Sequence, residues 1–273
     1  MALLIPRSYL FVPGNRPDRF AKACAAGADA VVLDLEDSVP AGDKSKARTA
    51  VAAWLTSSQP VLVRINTSDS EWFLADLSLG RKPGIAGVLL PKAERVEEIR
   101  LVAEHFGAEV PILPQIETAQ GFRNALELAS AKPVQRLLFG SIDFQLDLGM
   151  AAEEEELLYF RSQIVLESRL AGIHPPVDGV TTDINSTERV RADTLRARRL
   201  GFGGKMCIHP KQVPVVNEGF TPGAEEEAWA RRVVEASLES RGAATSVDGK
   251  MVDRPVLARA QVILAMVEQL RQR

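Results

Sequence analysis

Eight times along this chain a short apolar run of strand length gives way to a helical pattern. The runs begin near residues 8, 30, 60, 85, 111, 136, 176 and 204, mostly 22 to 30 residues apart. That is the span of one strand-plus-helix unit. The runs carry few polar alternations, for example Val31-Val32-Leu33 and Val88-Leu89-Leu90, so each strand is expected to be buried on both faces, as in a parallel sheet. Between them, Pro17 opens a helix that Gly27 closes. Val96, Ile99 and Val102 recur at helical spacing, and Phe122, Ala125, Leu126 and Leu128 mark the helix after the fifth strand. A long helix is expected from the acidic group Glu153 to Glu156 through to Gly172, and an Arg-rich outer helix from Thr187 to Leu200. Eight such units predict an α/β fold, a (β/α)₈ barrel occupying residues 1–220. The alternative is an open doubly wound sheet, but no Gly-rich phosphate fingerprint follows any strand. Residues 221–273 exceed what a barrel needs. They read as two helices with apolar stripes, Glu225 to Ser240 and a last one through Leu257, Ile263 and Leu270, joined by a turn from Arg241 to Gly249. Such a C-terminal helical extension either faces a partner or covers the barrel bottom, and the pattern does not choose.

Charge and composition narrow the function. A net charge of −3 argues against general nucleic-acid binding. The two cysteines, Cys24 and Cys207, lack metal spacing and fit a reducing compartment. No signal-peptide pattern opens the chain and no apolar run approaches membrane-spanning length, so the cytoplasm is expected and no membrane partner is.

In a barrel of this kind reactive groups sit at the carboxyl ends of the strands. Reading those positions gives Arg16 after the first strand, Glu36 and Asp37 after the second, Arg64 ending the third and Lys92 after the fourth. Glu117 and Asp143 end the fifth and sixth, and His209 the eighth. Each has a plainer reading. A lone acid at a strand end is commonly a helix cap or an ion-pair partner, Glu36-Asp37-Ser38 suits a turn, and Lys92 and His209 read as structural. Taken together, four carboxylates at one mouth would repel unless a cation neutralised them. Two carboxylates completed by water and ligand oxygens is a Mg²⁺ arrangement, whereas the three histidines show no zinc spacing.

The segments Leu10-Phe11-Val12-Pro13-Gly14-Asn15-Arg16-Pro17, Leu33-Asp34-Leu35-Glu36-Asp37-Ser38, Val63-Arg64-Ile65-Asn66, Leu90-Pro91-Lys92-Ala93-Glu94, Ile116-Glu117-Thr118, Phe139-Gly140-Ser141-Ile142-Asp143 and Cys207-Ile208-His209-Pro210 resemble, in order, those of the citrate lyase beta-subunit-like branch of the HpcH/HpaI aldolase and malyl-CoA lyase superfamily. The resemblance implies a homotrimeric or hexameric barrel that makes or breaks C–C bonds of 3-hydroxyacyl thioesters. It implies Glu117 and Asp143 as Mg²⁺ ligands, with Glu36 and Asp37 holding water around the metal. It makes Arg64, with Arg16 and Glu117, a substrate contact, and gives Arg64 and Asp253 catalytic roles. Asp253, in Gly249-Lys250-Met251-Val252-Asp253-Arg254-Pro255, resembles an aspartate delivered into a neighbouring subunit's site. The chain departs from the family's usual Glu-Asp in having Ile142-Asp143, which lowers local negative charge.

The implied reaction is cleavage of a CoA ester such as citramalyl-, malyl- or citryl-CoA into a 2-oxo acid and an acyl-CoA. The alternatives are a citrate lyase beta subunit working on an acyl-carrier-protein thioester, and a metal aldolase working on free 2-oxo acids. Arg16, Arg19, Lys22 and Lys44 are the candidate partners for CoA phosphates.

Overall fold

The computed structural model describes residues 5–56, 58–151, 155–240 and 243–271. Eight parallel strands close into a barrel: β1 (Ser8–Pro13), β2 (Ala30–Asp34), β3 (Val61–Arg64), β4 (Ile85–Leu90), β5 (Ile112–Ile116), β6 (Leu138–Phe139), β7 (Val177–Asp178) and β8 (Gly204–Cys207). β1 pairs with both β2 and β8, so the sheet has no edge and the open doubly wound alternative is excluded. Helices follow the strands, as the expected fold class requires. Two compact units are distinguished, one spanning residues 5–217 and one containing 218–273.

One side chain from each strand builds the barrel's inner layer: Tyr9, Val32, Leu62, Leu89, Leu113, Leu138, Val177 and Met206. Side chains alternate along a strand, so residues two positions further on face the same interior. Those residues include Phe11, Asp34, Arg64, Gln115, Gly140 and Ile208, and all of them line one cavity. The alternation therefore turns an apolar plug into a polar mouth within a single step along the strands. At the opposite end Arg136, buried two residues before β6, closes the barrel. Its guanidinium donates to the carbonyls of Pro175 (2.7 Å) and Pro6 (2.6 Å) and to the Tyr9 hydroxyl (2.9 Å).

Three sequence expectations need correction. β6 stops at Phe139, so Asp143 does not end a strand; it lies in the first turn of the helix Ser141–Leu148. The helix expected from the glutamates starts only at Leu158. Glu155 and Glu156 precede it, and Glu153 and Glu154 lie outside the described residues. The stretch read as a turn before the last helix contains a hairpin, β9 (Thr245–Val247) and β10 (Lys250–Val252). Its turn is Asp248-Gly249, both at positive φ (51° and 74°), the backbone that a tight two-residue hairpin turn demands.

In the second unit the helices Ala224–Glu239 and Arg254–Arg271 pack on each other and on this hairpin. Ala230, Val233, Val247, Val252, Ala260 and Ile263 form a small core there. Part of both stripes is thus consumed internally, while Leu238, Met251 and Val262 remain largely exposed. Among the described residues no helix is long and apolar enough to cross a membrane.

Candidate active site

The mouth is organised around an ion pair between β2 and β3. Asp34 and Arg64 are register partners at the ends of their strands, and both point inward. Arg64 Nε and Nη2 each lie 2.7 Å from the two Asp34 oxygens, a bidentate clamp. Asp34 also accepts from the Glu36 backbone N–H (2.9 Å) and the Ser38 hydroxyl (2.5 Å), so it shapes the loop that carries the next acids. The third guanidinium nitrogen, Arg64 Nη1, lies 2.8 Å from Glu36 Oε2 and 3.9 Å from Asp37 Oδ2. Phe11 stacks under the guanidinium at 5.1 Å. Burial works against both charges, but Asp34 and Arg64 overcome it: the carboxyl is held below its usual range and the guanidinium above.

Glu117 follows β5 directly and is almost fully buried. Its Oε1 accepts from Gln115 Nε2 (2.6 Å) and its Oε2 from the Lys92 backbone N–H (2.9 Å). Gly140 leaves the space this carboxyl occupies, since a Cβ there would collide with it. Burial, opposed by Arg64 and reinforced by Glu36 and Asp143, pushes Glu117 up to about 8. Glu36 is pushed up to about 7, again first by burial. The mouth thus holds more buried acid than its own cations neutralise. Gln115 Oε1 is buried without a hydrogen-bond partner, a further unsatisfied oxygen beside Glu117.

Asp143 completes the group from the helix after β6. Its Oδ1 lies 3.3 Å from Lys92 Nζ, which is also 3.7 Å from Glu36 Oε1. Burial opposes the Lys92 charge, but Glu36, Asp143, Asp37 and Glu117 outweigh it and hold its proton above the ordinary lysine value. The cavity, about 330 Å³, is lined by Asp37, Arg64, Glu117 and Asp143 together with Phe11, Ile142, Val180 and Met206. One wall is acidic and the other apolar. A second cavity of about 340 Å³ shares Phe11 and Ile208 with the first and is lined by Arg19 and Lys22.

A model of the HpcH/HpaI aldolase/citrate lyase family matches residues 7–210, which is most of the chain and nearly the whole barrel. The chain belongs to that family. It is therefore an enzyme of a carbon–carbon lyase family. It is 40% identical over 95% of its length to a citrate lyase subunit beta-like protein of Deinococcus radiodurans, covering 96% of that protein. It is 32% identical to a (3S)-malyl-CoA thioesterase of Cereibacter sphaeroides, covering 97% of this chain and 95% of that one. Among solved structures it matches the protein CitE of Mycobacterium tuberculosis in complex with magnesium, acetoacetate and coenzyme A. That match has a TM-score of 0.86 and 36% identity, over 95% of this chain and 97% of the other.

The HpcH/HpaI barrel brings Glu36, Asp37, Arg64, Glu117 and Asp143 to one mouth, as their places along the chain led one to expect. It does not bring Arg16 there. That side chain lies on the surface, clamped by Asp18 at 2.9 and 2.8 Å. Lys44 is not available to a CoA phosphate either. It is buried, and its ammonium donates to the carbonyls of Leu35 and Glu36 (both 2.8 Å) and to Asn66 Oδ1 (2.6 Å). Its work is to hold the β2 loop from behind. His209 caps the short turn that follows it, accepting from the Lys211 N–H (3.1 Å). Asp253 Oδ1 caps the last helix, accepting from the Val256 N–H (3.3 Å).

Two side chains escaped the sequence reading. Asp34 and Gln115 belong to strands, the last residue of β2 and the last but one of β5, each two residues before the acid that attracted attention. The signal was present in the period of two: Val32 and Leu113 face the interior, so Asp34 and Gln115 must as well.

Proposed function

We propose that the protein is a Mg²⁺-dependent lyase, acting in the cytoplasm, that cleaves a 3-hydroxyacyl-CoA into a 2-oxo acid and an acyl-CoA. The observation that carries this reading is the convergence of Glu117 and Asp143 on one cavity, both touched by Lys92, beside an Arg64 already fixed by Asp34. The donor set consists of carboxylate oxygens, which suits a hard divalent cation. Among the described residues no three His, Cys, Asp or Glu side chains converge as a metal cage. Glu117 and Asp143 would hold the ion, with Glu36 and Asp37 ordering water around it. Water and the substrate's own oxygens would then complete the coordination, as is usual for Mg²⁺. When bound, the ion supplies Lewis acidity and a template for the oxo-acid half of the substrate.

The residues of the chain account for the rest of the chemistry. Cleavage passes the 3-hydroxyl proton to the Asp253 carboxylate and breaks the C2–C3 bond. The bonding pair moves into the thioester as an enolate, and a proton is returned to C2. Arg64 Nη1, the guanidinium nitrogen that Asp34 leaves unused and that Glu36 approaches at 2.8 Å, supports the negative charge that develops on the enolate oxygen. Its rigidity matters, because a donor already in place needs no reorganisation as charge develops. The apolar wall of Phe11, Val180 and Met206 excludes water from that charge. Asp253, supplied by a neighbouring subunit of a homotrimer or hexamer, returns the proton to C2. Arg19 and Lys22 in the adjoining cavity are the phosphate partners for CoA.

The test is a panel of 3-hydroxyacyl-CoA esters incubated with protein and Mg²⁺, with 2-oxo acid and free CoA both measured. Lyase action releases 2-oxo acid while the acyl-CoA stays intact. Free CoA with the hydroxy acid unbroken would instead show thioester hydrolysis, the activity named for the Cereibacter relative. Cleavage that survives EDTA, or no cleavage of any ester, would remove the metal-dependent lyase reading.

A further inference from the structure

Two cations face the acids of the mouth, and they are held in different ways. Arg64 is buried and clamped through two of its nitrogens by Asp34, so it stays where it is. Lys92 is about one-third exposed and is held only by ion pairs, 3.3 Å to Asp143 Oδ1 and 3.7 Å to Glu36 Oε1. Its backbone is unusual as well. With φ at 45° it adopts the left-handed region that side-chain-bearing residues avoid. That turn aims its N–H at Glu117 Oε2 (2.9 Å) while its side chain reaches Asp143. One residue therefore touches both acids of the proposed metal pair, one through the main chain and one through the ammonium.

We propose that the Lys92 ammonium is the protein's own counter-cation for this carboxylate cluster, and that a divalent ion binds by displacing it from Asp143. The inference rests on the reading that Glu117 and Asp143 hold the metal. It goes further in assigning Lys92, which had read as structural, the task of setting how tightly the ion is held. The ammonium offsets part of the acids' charge, at Asp143 and Glu36, while no ion is present. It has a route out to solvent, and the backbone N–H that fixes Glu117 remains in place when the side chain leaves. The entering ion then replaces one positive charge with two in a site that already contains Arg64.

The proposal is tested by calorimetric titration of the metal-stripped full-length protein with Mg²⁺. Lys92→Met removes the competing charge and is expected to bind Mg²⁺ roughly two- to fivefold more tightly than wild type, the worth of a partly exposed ion pair. Lys92→Arg keeps the charge and is expected to stay close to wild type. A second arm needs no variant of this residue. Surface acylation of the wild-type protein, mapped by mass spectrometry, is expected to label Lys92 more strongly when Mg²⁺ is added, and Glu117→Gln is expected to abolish that rise. Equal or weaker binding by Lys92→Met, or labelling of Lys92 that falls or does not change with Mg²⁺, overturns the proposal while leaving the metal site standing. Absence of Mg²⁺ binding by wild type and Lys92→Met alike overturns both.

Discussion

Asp34 holds three things at once: the Arg64 guanidinium, the Glu36 N–H and the Ser38 hydroxyl. Asp34→Ala would leave a buried guanidinium without its bidentate partner and free the loop bearing Glu36 and Asp37. Removing one member of a buried pair costs about 3–5 kcal/mol. An unfolding free energy from urea titration lowered by that amount, with turnover reduced beyond the loss of folded protein, is the expected result; a urea midpoint within error of wild type would show that the clamp is not structural. Glu117 makes the opposite contribution. Its folded value is raised to about 8, well above the unfolded value of about 4.3. Between those values the unfolded chain binds fewer protons than the folded one, so its contribution to stability falls as pH rises. Glu36 acts with the same sign over a narrower window, up to about 7. The melting temperature of EDTA-treated protein is therefore expected to fall between about pH 5 and about pH 8, and to fall less in Glu117→Gln. A flat profile in wild type, or an equal fall in Glu117→Gln, would contradict this account of the buried acid.

The elements differ in how openly the sequence announced them. The long runs Ala30–Asp34, Ile85–Leu90 and Ile112–Ile116 are apolar and bounded by turn residues, and they form strands where they were expected. Leu137-Leu138-Phe139-Gly140-Ser141-Ile142-Asp143 reads as one run, yet only two of its residues join the sheet. The reason is local. Gly140 has to pass beside the Glu117 carboxyl, and the chain turns there into a helix. Asp143 thus reaches the mouth by one turn of helix rather than by strand register. The Lys44–Asn66 contact is invisible in the sequence because it joins residues 22 apart with no shared pattern. The hairpin did have a signal in Asp248-Gly249, but its strands are only three residues each, too short for alternation to show. Gly249 at φ 74° tests that element directly. Gly249→Ala puts a Cβ in the left-handed region and is expected to cost about 1 kcal/mol. Hydrogen exchange should localise the loss to the Val247 and Val252 amides, with those of β1–β8 unchanged; faster exchange spread through the barrel strands would mean that the two units unfold together.

At the scale of the whole molecule, the barrel supplies the acids and Arg64, while Asp253, the residue proposed to transfer the proton, belongs to the other compact unit. Its own helix already uses it as a cap. Asp253→Asn keeps an oxygen that can accept from the Val256 N–H, so folding is expected to survive while turnover falls sharply. The decisive question is which barrel Asp253 serves. If it acts on a neighbouring subunit, each active site of a ring contains the barrel of one chain and the aspartate of the next. Inactive Glu117→Gln and inactive Asp253→Asn chains, co-expressed in equal amount, would then form some sites with an intact barrel and an intact aspartate. With random mixing, about a quarter of all sites meet both conditions in a head-to-tail ring. Recovery of roughly that fraction of wild-type turnover is the expected outcome, with no recovery when the separately purified variants are mixed without subunit exchange. If Asp253 served its own barrel, no mixed ring would contain a complete site, and the co-expressed pair would stay as inactive as either parent.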